Sequence, residues 1–149
     1  MKAQTENYLN SNLRNAALIS FGVKRQFIEL TFSSEEYEEI CFFLDCDVKA
    51  SDGHELDNVI SLLKGYDRDV FEIAYFIKAN NQKIELCEIT VSGDLRVRFS
   101  NGYEIWFIVS SSTDHELDIT FKVRENSCEY SYVHLESGQQ WFNKVGKTT

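Results

Sequence analysis

Glu116-Leu117-Asp118-Ile119-Thr120-Phe121-Lys122-Val123-Arg124 alternates without a break, with Leu117, Ile119, Phe121 and Val123 set against Asp118, Thr120, Lys122 and Arg124. Side chains of an extended chain point to opposite faces with period two, so this stretch predicts a strand with one dry and one wet face. Antiparallel sheets commonly have such a wet face, whereas parallel sheets are covered on both sides. The pattern recurs along the chain. Residues 17–22 are apolar, and 26–32 set Ile28, Leu30 and Phe32 against Gln26, Glu29 and Thr31. Residues 37–48 put Ile40, Phe42, Leu44, Cys46 and Val48 on one face, and Cys41, Phe43, Asp45 and Asp47 on the other. As a single strand, this segment projects Asp45 and Asp47 the same way. Further strands are expected at 70–78, 83–91, 95–99, 103–110 and 128–135. Asn80-Asn81, Ser92-Gly93-Asp94 and Asn101-Gly102 read as hairpin connections. Asn101-Gly102 suits a type I′ turn, which needs positive φ at both central residues.

One segment has the other period. Asp52 is an N-cap with Glu55 three residues on, and Leu56, Val59, Ile60 and Leu63 follow at helical spacing before Gly65. A capping box, an apolar stripe and a terminal glycine together predict a helix over about 54–64. A shorter one is expected near 5–16, with Tyr8, Leu9 and Leu13 on one side. The fold class is therefore α+β: a curved, mainly antiparallel β-sheet with one main amphipathic helix and a short N-terminal helix. With 149 residues and no proline or Gly/Ser-rich linker, one domain is expected over 1–149, its ordered core at about 5–136 and a polar tail at 137–149.

Composition narrows the class of function. Apolar runs stay far below the roughly 20 residues of a membrane span, and no apolar segment follows the first residues, so a cytoplasmic protein is expected. Cys41, Cys46, Cys87 and Cys128 form no C-x-x-C pair and sit mostly in apolar runs; they read as buried thiols in a reducing compartment. The formal charge is −9. From Glu35 to Asp57 nine acids face one base, Lys49, which accounts for −8 and leaves −1 for the rest. Such a field repels nucleic acid and draws in basic surfaces.

Motifs for chemistry are sparse. His54-Glu55-Leu56-Asp57 and His115-Glu116-Leu117-Asp118 repeat a tetrapeptide, yet neither has the second histidine of an H-E-x-x-H zinc helix. His54, Asp57, His115 and Asp118 are chemically acceptable ligands if the two copies converge; solvated polar residues are the preferred account. The chain has no G-x-S-x-G, P-loop or G-x-G-x-x-G. No enzyme activity, cofactor or metal is expected. Arg96, Arg98, Lys122 and Arg124 read as paired surface charges rather than a nucleic-acid footprint. Trp106 reads as core, and Trp141-Phe142 as either a docking anchor or a C-terminal clasp.

Leu62-Leu63-Lys64-Gly65, followed by strands and then Leu95-Arg96-Val97-Arg98-Phe99-Ser100-Asn101-Gly102-Tyr103-Glu104-Ile105, resembles small bacterial β-rich immunity proteins of contact-dependent growth inhibition and related polymorphic toxin systems. The resemblance spans about residues 60–110. It implies a protein that binds a cognate toxin domain, often a basic nuclease, and occludes its substrate site. The charge segment then offers Asp45, Asp47, Asp52, Glu55 and Asp57 as partner-binding residues. The alternatives are a β-rich domain that binds a small molecule or a metal, and a homodimeric scaffold without catalytic activity.

Overall fold

The described residues, 2–24, 27–51, 73–124, 129–137 and 139–147 of a computed structural model, contain ten strands. These are β1 (Ala17–Lys24), β2 (Phe27–Ser33), β3 (Tyr37–Asp45), β4 (Asp47–Ala50), β5 (Ile84–Ile89), β6 (Leu95–Phe99), β7 (Glu104–Ile108), β8 (Glu116–Val123), β9 (Glu129–Glu136) and β10 (Gln139–Lys147). A helix α1 (Lys2–Leu13) precedes them, and a 3₁₀ helix (Ile73–Ala79) lies between β4 and β5. The α+β class with mainly antiparallel sheet is the one the structure has. Its strands divide between a six-stranded sheet, β1-β2-β3-β8-β9-β10, and a four-stranded sheet, β4-β7-β6-β5. Every named strand pair is antiparallel. The expected helix at 54–64 lies outside the described residues.

The division happens at Cys46. The segment expected as one strand is two: β3 pairs with β8 in the large sheet, and β4 pairs with β7 in the small one. The bend keeps the alternation intact, since Ile40, Phe42, Leu44 and Val48 are all buried. Strands that cross from one sheet to another through a bend form the corners of two-sheet packings, and this one wraps a shared core.

That core is aromatic at its centre. Phe42 lies 4.9 Å from Phe32 in the large sheet and 5.5 Å from Phe107 in the small one, by ring centroids. Phe32 faces Phe99, and Phe107 faces Phe76 of the 3₁₀ helix. That helix replaces the described part of the strand expected at 70–78. Ile73, Phe76 and Ala79 recur every third residue, and three residues per turn places them in one line. Phe76 and Ala79 are buried while Ile77 is exposed, a pattern period two does not produce. Asn81 follows with φ 64° and donates its N–H to the Leu18 carbonyl at 2.8 Å, so Asn80-Asn81 ends this helix rather than turning a hairpin.

Helix α1 has a faint apolar stripe because its inner face is partly polar. Leu9 and Leu13 are fully buried with Thr5, while Asn10 and Glu6 meet β5. The Cys87 N–H donates to Asn10 Oδ1 at 2.8 Å, Asn10 Nδ2 donates to the Cys87 carbonyl at 2.6 Å, and the Ile89 N–H donates to Glu6 Oε2 at 2.7 Å. β5 is an edge strand, and these side chains stand in for a neighbouring strand along its open side.

The other two hairpin signals hold, Asn101-Gly102 with a change of turn type. At Asn101-Gly102 the Phe99 carbonyl accepts from the Gly102 N–H at 2.9 Å, and Phe99 N–H donates to Tyr103 at 2.8 Å. Only Gly102, at φ 87°, takes a left-handed conformation; the loop is the three-residue form with a left-handed glycine, not a type I′ turn. The 90–94 connection repeats it, with Gly93 at φ 96°. A Cβ at Gly102 meets no atom within 4 Å, so the cost of Gly102→Ala is conformational. About 1 kcal/mol or slightly more should be lost in a urea titration, with the slope unchanged.

The C-terminal segment departs from expectation too. Residues 139–147, read as a polar tail, form β10 against β9, with Trp141 opposite His134 and Phe142 opposite Val133. Polar composition hid a strand whose backbone bonds come from a neighbour rather than from its own side chains.

Candidate functional site

The outward face of the large sheet can be followed by register. On β3, Phe43 stands opposite Glu29 of β2 and Asp118 of β8, and Asp45 stands opposite Glu116 of β8. On β9, Glu136 stands opposite Glu116, and His134 stands opposite Asp118. Directly opposed residues point to the same side of a sheet. Glu29, Asp45, Glu116, Asp118 and Glu136 therefore share one face with His134, Phe27 and Phe43. Four strands contribute, from positions more than 100 residues apart in sequence.

The centre of this face is an open hollow of about 510 Å³ lined by Phe27, Glu29, Phe43, Leu44, Asp45, Glu116 and Asp118. Its lining combines apolar side chains with four carboxylates. Phe27 and Phe43 are 48% and 40% exposed, which is unusual for phenylalanines beside such charge. Beside the hollow, His134 is only 9% exposed. Its Nδ1 lies 2.5 Å from Asp118 Oδ1, and its Nε2 lies 3.5 Å from Glu136 Oε2 and 4.0 Å from Glu116 Oε2. Burial works against a charged ring, but the hydrogen bonds and negative charges of Asp118 and Glu136 outweigh it, so the imidazole pKa is raised.

Of the five acids expected to bind a partner, Asp45 lies on this face and lines the hollow. Asp47 is exposed but opens β4, opposite Ile108 in the other sheet. The bend at Cys46 thus separates two carboxylates that strand alternation placed side by side. Asp52, Glu55 and Asp57 lie outside the described residues, as does the first His-Glu-Leu-Asp copy. In the second copy, Glu116 and Asp118 join the acidic face, whereas His115 Nδ1 bonds Ser111 Oγ at 2.8 Å in the turn before β8.

Sequence reasoning missed His134. The tetrapeptide repeat drew notice to the other two histidines, and Tyr130–Leu135 carries no motif. Alternation through Tyr132, His134 and Glu136 does place these three together, but knowing which strand lies beside them required the register.

The remaining candidates resolve into ordinary structure. Arg96 pairs with Glu88 at 3.0 Å and with Glu104, and its guanidinium lies 6.0 Å from the Trp106 ring centroid. Trp106 is thus half-buried on the outer face of the small sheet, not in the core. Arg98 pairs with Glu85 at 3.2 Å and Lys122 with Glu38 at 3.7 Å, while Arg124 donates to Ser33 Oγ and the Ser34 carbonyl. Cys87 is fully buried, which pushes its thiol pKa up to about 12, and Cys41 is half-buried with its pKa also raised by burial. Neither has the lowered pKa of a reactive thiol.

Comparison with protein-family models, curated proteins and solved structures gave no match. Among the described residues no helix is long and apolar enough to cross a membrane.

Proposed function

We propose that this chain is a binding protein for a basic macromolecular partner, of the immunity type, and that the outer face of the six-stranded sheet occludes the substrate site of a cognate toxin domain. The observation that carries it is the hollow itself, whose lining joins two exposed phenylalanines to the carboxylates of Glu29, Asp45, Glu116 and Asp118. Its chemical complement is a lysine or arginine side chain, with an apolar stem to lie on the rings and a cationic head to meet the carboxylates. A toxin that works on nucleic acid must display such cations where it holds phosphates, so a protein that captures them also blocks the site.

The row Asp45–Glu116–Glu136 adds support. Like charges opposite one another across a sheet are destabilising by tenths of a kcal/mol or more per pair. A row maintained at that cost is consistent with a face shaped for a positive partner. Opposite potentials raise the association rate, while the desolvated aromatic contacts set the residence time.

The test starts from the neighbouring gene, which on this reading encodes a toxin domain, and measures binding of that domain to this chain. Association should slow markedly as ionic strength rises. The double variant Glu29→Lys/Asp45→Lys should bind at least about tenfold more slowly than the wild-type chain. Unchanged affinity in a folded variant removes this face from the reading, and a neighbouring region without a toxin removes the immunity role.

A further inference from the structure

We propose that Glu116, His134 and Glu136 form a binding site for one divalent transition-metal ion, with Zn²⁺ as the favoured occupant. Each residue offers one ligand atom, and the three atoms all lie within 4.8 Å of one another. Nitrogen and oxygen ligands sit about 2.0–2.2 Å from zinc, so neighbours around a common ion are separated by roughly 3–4 Å. His134 Nε2 already lies 3.5 Å from Glu136 Oε2 and 4.0 Å from Glu116 Oε2. Small rotations of two partly exposed glutamates complete the closure.

The histidine distinguishes this group from an ordinary acidic cluster. Asp118 Oδ1 holds Nδ1 at 2.5 Å, which directs Nε2 toward the two glutamates. A carboxylate on the far nitrogen of a ligating imidazole is the recurrent second partner of metal-bound histidine: it fixes the tautomer and raises the basicity of the donor. Burial of the ring further restricts its orientation. The scaffold is rigid as well, since β8 and β9 pair continuously from Glu116–Glu136 to Lys122–Tyr130.

Charge favours the same conclusion. Glu116 and Glu136 face each other directly, and Asp45 stands on the other side of Glu116. A dication among them converts repulsion between strands into attraction. One imidazole with two carboxylates suits Zn²⁺, and Mn²⁺ or Fe²⁺ less tightly by the general order of affinities. Three protein ligands leave at least one coordination position for water or a further donor, and Glu116 also lines the hollow. The site shares Glu116 with the lining of the hollow, but Glu29 and Asp45 are not among its ligands, so the two proposals can be tested apart.

The experiment is calorimetric titration of the tag-free, chelator-treated full chain with ZnCl₂, alongside visible spectra with CoCl₂. One equivalent should bind with micromolar or tighter affinity. His134→Gln should abolish saturable binding and the cobalt absorption. Asp118→Asn, at a positioning residue, should weaken binding about 10–100-fold, and His115→Gln should leave it unchanged. Glu136→Gln changes a partly exposed side chain without altering its size, so it remains informative if His134→Gln does not fold; it should weaken binding at least about tenfold. Absence of saturable heat, equal affinity in folded His134→Gln or Glu136→Gln, or loss of binding in His115→Gln overturns the proposal. Because Glu29→Lys/Asp45→Lys leaves all three ligands in place, failure of toxin binding and failure of metal binding are separable results.

Discussion

Phe42→Ala should cost about 3–5 kcal/mol of stability, close to the whole margin of a marginally stable domain. Phe42 is fully buried at the meeting of the two sheets, in ring contact with Phe32 and with Phe107. Deleting the ring leaves a cavity that neither sheet can close alone, since each is held by its own ladder of backbone hydrogen bonds. The next residue is the control. Phe43 points to the opposite face and is 40% exposed, so Phe43→Ala should change stability by less than about 1 kcal/mol. Its effect should fall on the partner complex, as faster dissociation. Urea titrations of both variants check the first claim. A Phe43→Ala loss as large as that of Phe42→Ala would mean that the outer face is structural, which undermines the docking surface.

The second large effect is expected at the clasp between α1 and β5. Glu6→Ala/Asn10→Ala removes three hydrogen bonds to the backbone of an edge strand, one of them made by a carboxylate. Single bonds of this kind are worth about 1 kcal/mol net, and those to charged groups about 1.5–3. Both side chains are only part-buried, so water compensates some of the loss and about 2–4 kcal/mol is expected. A second consequence separates this from a simple packing defect. Freeing the Cys87 and Ile89 amides turns β5 into an open edge, which invites pairing with another chain. Light scattering of the double variant should show association at concentrations where the wild-type chain shows none. Equal stability and unchanged scattering would mean that the helix is not a clasp.

Alternation alone identified most of the strands, because one-sided burial writes itself directly into the order of residues. Leu117, Ile119 and Phe121 are buried as their spacing requires, and Leu95, Val97 and Phe99 behave alike. Glycine at 93 and 102 marked two turns by the same local logic, since both adopt positive φ. Period fails where a short segment fits two templates. Ile73–Ala79 falls within the strand expected at 70–78 but is a 3₁₀ helix with Phe76 packed on Phe107, and β10 has too few apolar residues to declare itself.

The candidate site lies beyond local logic altogether. Asp45 was legible as an exposed acid, but its working neighbours are Glu116 on β8 and, one strand further, Glu136 on β9. For most of the strands the sequence by itself determined which residues face inward and which outward, and hence an antiparallel α+β protein with a strong net negative charge, because burial acts on each residue through its immediate neighbours. Trp106 and the 73–79 segment are exceptions. Which outward residues meet was decided only by the tertiary structure. Strand order and register bring together side chains far apart in the chain, and the bend at Cys46 parts Asp45 from Asp47, which are nearly adjacent in it.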